Sequence, residues 1–128
     1  MLIEPHANLR IEKRVFGNEG ATLLVIDSVV ADPERLVRKA GRRSFGGQGE
    51  YFPGARTGAP AMYQPFLESL LNPLLQEHFG IQPGRFKFSM CHYSLVATPP
   101  EQLRFLQRVP HIDSVGGDGL ATVHYLFH

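Results

Sequence analysis

Between Phe66 and Phe79 the residues Phe66, Leu67, Leu70, Leu71, Leu74, Leu75 and Phe79 recur at three- and four-residue spacing. A strand alternates its side chains and would send part of this set to water, whereas one stripe of a 3.6-residue helix collects them. The spacing predicts an amphipathic helix that Gly80 terminates, with Asn72 and Pro73 placed to kink it or restart it as cap and first residue. An apolar stripe of this kind has to lie against other elements of the same chain.

The first partner is the run ATLLVIDSVV from Ala21 to Val30, rich in β-branched and aliphatic residues without helical spacing, which predicts a buried strand. A second helix follows it. Asp32 suits the N-cap, Pro33 the first helical position, and Leu36, Val37 and Ala40 supply an apolar face before Gly41. From Ser44 to Pro60 glycines and prolines among polar residues predict a long loop, a length at which loops often carry function.

The stretch RFKFSMCHYSLVATPP alternates as a strand, with Phe86, Phe88, Met90 and His92 on one face and Lys87, Ser89, Cys91 and Tyr93 on the other. A connecting segment EQLRFLQRVP leads to His111, a glycine-rich turn follows, and LATVHYLFH reads as a last strand. Helices early and strands late make an α+β pattern in one domain spanning residues 1–128, since 128 residues with 43% hydrophobic content suffice for one core and not two.

Thirteen Lys and Arg against twelve Asp and Glu leave a net charge of +1, which gives no reason to expect nucleic acid or an anionic membrane as partner. One cysteine, Cys91, forms no internal disulfide, and the start MLIEPHANLR lacks the basic segment and apolar run of a secretory signal. The apolar stretches fall short of the roughly 20 residues of a membrane span. A soluble, cytoplasmic protein is expected.

The chemistry concentrates at PHID. His111 and Asp113 are one residue apart, so an extended backbone points both side chains to the same side with Cα atoms about 6 to 7 Å apart. One imidazole nitrogen and one carboxylate oxygen are two of the three ligands of the facial triad that holds non-haem Fe(II) and leaves positions open for O₂ and co-substrate. Pro110 fixes the backbone just ahead, at a loop-to-strand junction.

Other residues have a bland reading beside the functional one. His124 and His128, four apart on the last strand, share a face as substitute ligands or as a surface pair. Alternation parts His92 from Tyr93, so one of them at most lines a pocket; Tyr93 is the candidate hydroxyl donor to a bound acid, or else a packed strand tyrosine. Cys91 has no recognisable orienting acid and is not read as a nucleophile. Arg35, Arg38, Lys39 and Arg42 form a basic helical stripe with Arg43 alongside, the pattern of a solvated face. Arg56, Arg104 and Arg108 are candidate contacts for an anion, with Arg108 favoured because only Val109 and Pro110 separate it from His111.

The segments VIDSVVADPERLVRKA, YFPGARTGAP, FSMCHYSLVATPPEQL, LQRVPHID and LATVHYLF, in this order, resemble a bacterial family of uncharacterised proteins, the DUF6445 family, which itself resembles Fe(II)- and 2-oxoglutarate-dependent oxygenases. The similarity runs from about Ala21 to Phe127. It implies a partial double-stranded β-helix, a jelly-roll or cupin-like sheet with two packed helices, with His111 and Asp113 as the first two iron ligands and 2-oxoglutarate as co-substrate. By the same resemblance these residues are the N-terminal portion of such a domain: the later His ligand and the basic residue that pairs with the co-substrate have no matching position. The substrate class, small molecule or peptide, stays open. The alternative expectation is a non-catalytic interaction module, a homodimer formed by pairing of the C-terminal strand.

Overall fold

The computed structural model describes residues 2–47, 51–111 and 119–127. Its two helices and two separate two-stranded antiparallel sheets make an α+β architecture, as the sequence implies. The four strands among the described residues fall short of the eight of a complete jelly roll.

The first sheet is a hairpin of β1, Arg10–Phe16, and β2, Ala21–Asp27, in the register Arg10↔Asp27 to Phe16↔Ala21. Gly17 and Gly20 turn the chain at φ of 72° and 66°, a left-handed conformation open to glycine without a Cβ clash. β2 is the strand expected from Ala21, but it is only half-buried, because just one of its faces meets the rest of the chain through Leu24 and Ile26. β1 has no counterpart in the sequence reading. It is exposed along its length, and Arg14 pairs with Glu12 at 3.0 Å on its solvent side.

Helix α1, Pro33–Ala40, starts as expected: the Asp32 Oδ1 accepts from the Arg35 amide at 3.1 Å and Pro33 occupies the first turn. Of its expected apolar face Leu36 is buried while Val37 is 41% exposed. Gly41 closes the helix with ordinary helical φ of −61°, its amide still donating to the Val37 carbonyl.

Helix α2, Tyr63–Phe79, begins three residues before the apolar repeat and passes through Pro73 without a break. Leu67, Leu71, Leu74 and Leu75 are buried on one stripe, and Leu24, Ile26, Tyr63, Leu70, Phe79, Ile81, Phe86 and Phe88 pack around them. This is the core. Gly80 ends the helix in the left-handed region at φ 67°, where the Ile81 amide reaches the Leu75 carbonyl at 3.1 Å.

The second sheet joins β3, Ala55–Gly58, to β4, His92–Leu95, in the register Ala55↔Leu95 to Gly58↔His92. β3 lies inside the segment expected to be loop, and β4 is a four-residue remnant of the strand expected from Arg85. Phe86 and Phe88 pack against the core and meet edge to face, centroids 5.6 Å apart, without a partner strand, and Met90 is 63% exposed. Two short 3₁₀ turns follow, η1 at Pro100–Gln102 and η2 at Phe105–Gln107. The expected last strand is absent from the described residues: 119–127 run without a ladder, His124 and Leu126 half-buried, Val123, Tyr125 and Phe127 exposed. No helix among the described residues is long and apolar enough to cross a membrane.

Candidate functional site

The β3–β4 ribbon sets which polar side chains share a face. Residues opposite one another in an antiparallel pair point the same way, so Arg56, Ser94 and His92 lie on one side and Thr57, Tyr93 and Leu95 on the other. Arg56 is held on both edges of β3. It opposes Ser94 on β4, and its amide and carbonyl exchange hydrogen bonds with Gly46 at 3.0 and 3.1 Å.

Ahead of β3 the chain folds back sharply at Gly54, φ 82°, where a Cβ would lie 3.0 Å from the Leu95 carbonyl carbon and closer still to its oxygen. That turn brings the Phe52 ring under the Arg56 guanidinium, whose Cζ sits 3.5 Å from the ring centroid. The Arg56 Nε is buried and has no hydrogen-bond partner among the described residues. None of the ion pairs among the described residues involves Arg56. His92, on the same face, has its proton affinity lowered by burial and by the Arg56 charge.

Gln107 ties this loop to the segment that leads to His111. Its Oε1 accepts from the Arg104 amide at 2.9 Å, closing η2, and its Nε2 donates to the Phe52 carbonyl at 3.3 Å. Arg108 caps η2 and is exposed. His111 is exposed three residues later, its Nδ1 2.9 Å from the Val109 carbonyl. A carbonyl only accepts, so this contact makes Nδ1 the protonated nitrogen and Nε2 the basic one in the neutral ring. Asp113 and His128 lie outside the described residues. Among the described residues no group of three His, Cys, Asp or Glu side chains gathers to hold a metal.

Tyr93, expected to donate to a bound acid, instead donates to the Leu36 carbonyl of α1 at 2.9 Å, its ring 6.4 Å from that of Phe45. Burial raises its pKa against the opposing influence of Arg43, which favours the protonated donor. The other ribbon face is therefore a packing face. Burial also pushes the Cys91 thiol up, against a smaller opposite effect of a hydrogen bond from Gln64, and so away from the thiolate a nucleophile needs. In the basic stripe of α1, Arg38 meets Asp32 at 3.6 Å with both side chains exposed.

His124 reaches across to α2, where its Nδ1 lies 2.9 Å from the Tyr63 hydroxyl and the two rings are 19° from parallel. Desolvation acts on both partners in the sense that suits this bond: it raises the Tyr63 pKa to about 12 and lowers that of His124, leaving a neutral donor and a neutral acceptor. His124 thus anchors the C-terminal segment to the core. Sequence reasoning named Arg56 only as a secondary candidate and missed Phe52 and Gln107. The one local signal was Phe52 four residues before Arg56 across a Pro-Gly turn.

Neither the curated proteins nor the solved structures contain a match to this sequence. A family model does match, over residues 7–128, and it describes a family of unknown function. On that match across nearly the whole length, the chain belongs to the DUF6445 family.

Proposed function

We propose that this chain belongs to a Fe(II)- and 2-oxoglutarate-dependent oxygenase-type protein of the cytoplasm, built on a double-stranded β-helix of which these residues form part, that oxidises or hydroxylates a small-molecule or peptide substrate. The observation that carries the reading is the His111 ring. Its Nδ1 bond to the Val109 carbonyl leaves Nε2 as the basic nitrogen, the tautomer that metal-ligating histidines commonly adopt with a backbone carbonyl behind them. Asp113, two residues on, supplies the carboxylate of the donor set. Bound Fe(II) with 2-oxoglutarate would supply O₂ activation there. The protein's own residues would orient the ligands and the substrate and keep water out.

Arg108 is the cation assigned to the co-substrate carboxylate, three residues before His111. Tyr93 is the other residue assigned to the co-substrate; to donate to a carboxylate oxygen its hydroxyl would have to turn away from the Leu36 carbonyl. Anaerobic titration with Fe(II) and 2-oxoglutarate, followed by the weak visible charge-transfer band, tests the reading. The band is expected where a second copy completes the donor set, and is absent from His111→Ala and Asp113→Ala. Stoichiometric Fe(II) binding retained in both variants would sink it.

One observation favours a second reading, a non-catalytic module that pairs with another copy through residues 119–127. Val123, Tyr125 and Phe127 alternate along this segment at 72%, 70% and 76% exposure, the pattern of a strand edge presenting an apolar side. A concentration-dependent dimer without metal, abolished by Tyr125→Lys, is its expected result.

A further inference from the structure

We propose that Arg56 is the anchor of a binding site for a small-molecule carboxylate, formed on the Arg56–Ser94–His92 face of the β3–β4 ribbon and independent of any metal. The guanidinium is half-buried and belongs to none of the ion pairs among the described residues. Its carbon lies over the Phe52 ring, 3.5 Å from the centroid, and its Nε is buried without an acceptor among the described residues. The enclosed Nε is closed to a ligand, which leaves the two Nη groups as the donors that a ligand oxygen can meet.

The arrangement is built rather than incidental. The backbone of Arg56 is hydrogen-bonded to Gly46 on one edge and paired with Ser94 on the other, and the glycine-only turn at Gly54 delivers the ring beneath it. Stacking of this kind fixes the plane of the guanidinium, so that its fork is preorganised for a planar partner. A carboxylate presents two coplanar oxygens and accepts two parallel N–H bonds from such a fork. Ser94, directly opposite Arg56, brings a hydroxyl to the same face. His92 is biased toward its neutral form there, so Arg56 supplies the fixed charge.

The test uses the metal-free chain, so that its outcome is separate from that of the iron titration. Succinate and inorganic phosphate are titrated in parallel while the ¹⁵N side-chain signal of the Arg56 Nε–H is followed. The expected result is a saturable shift with succinate, weaker with phosphate, absent in Arg56→Gln. Affinity should fall about tenfold or more in Arg56→Lys, which keeps the charge and loses the fork. Phe52→Leu, which leaves Arg56 in place, should weaken binding by releasing the guanidinium plane. No saturable succinate binding by the folded chain, undiminished binding in Arg56→Gln, or tighter binding of phosphate than of succinate would each overturn the proposal.

Discussion

The bond between the Tyr63 hydroxyl and the His124 Nδ1 joins positions 61 residues apart and is the described polar link from the C-terminal segment to α2, so Tyr63→Phe tests how firmly that segment is held. The substitution keeps the ring in the core and removes one oxygen. A half-buried neutral hydrogen bond contributes about 0.5–1.5 kcal/mol net, and the His124 nitrogen left without a donor places the cost toward the upper end, about 1–1.5 kcal/mol. With a urea m value of about 2 kcal/mol/M for a domain of this size, the unfolding midpoint should drop by about 0.6 M.

The pH dependence follows from the same pair. Desolvation lowers the His124 pKa below its ordinary 6.5, so between the two values the unfolded chain binds more protons than the folded one and stability rises with pH. The contribution is present above pH 6.5 and is lost as pH falls through the folded value, where protonated Nδ1 no longer accepts from Tyr63. On the alkaline side the Tyr63 pKa is raised from 10.0 to about 12, so its contribution is full below 10 and disappears as pH passes 12. Urea unfolding followed by far-ultraviolet circular dichroism from pH 5 to 8 should therefore show native and His124→Gln midpoints converging toward acid. A Tyr63→Phe midpoint equal to that of the native chain at pH 8, or a His124→Gln difference that persists undiminished at pH 5, would refute the reasoning.

Two further perturbations probe the ribbon. Gly54→Ala places a Cβ against the Leu95 carbonyl at a φ of 82°, combining strain with a clash, and should destabilise by about 1–3 kcal/mol in a thermal melt; a neutral outcome would contradict the turn geometry. Tyr93→Phe removes the donor to the Leu36 carbonyl and should cost about 1 kcal/mol in urea unfolding while leaving the succinate affinity of the metal-free chain unchanged. A large loss of succinate binding with unchanged stability would place its hydroxyl at the ligand instead.

What could be read from the sequence was what is determined locally. The α1 start was legible because Asp32 and Pro33 act on the next few residues, and α2 because four leucines at helical spacing state both the element and its buried side. β1 was not legible. Arg10–Phe16 carries Arg10, Glu12, Lys13 and Arg14, and nothing in it announces a strand until the turn at Gly17 lays it along β2. β3 and β4 are four residues each, with pairing set by a contact between segments nearly forty positions apart, a relation to which periodicity is blind. The site divides in the same way. His111 could be named as a candidate from type and spacing alone, whereas the cradle of Arg56 depends on how the chain turns at Gly54 and on where Gln107 arrives.

The position of Gln107 also carries a thermodynamic consequence. One amide group holds the turn before His111 with its oxygen and the Phe52 backbone with its nitrogen, so neither segment shifts without straining or breaking a bond to the other. The Arg56 site needs no metal to form, yet a ligand there that tightened the Phe52 turn would also steady the turn before His111. Linkage through this side chain would be reciprocal, each ligand changing the affinity for the other by the same factor. It passes through a side chain that substitution with leucine would disconnect while leaving Arg56 and His111 in place.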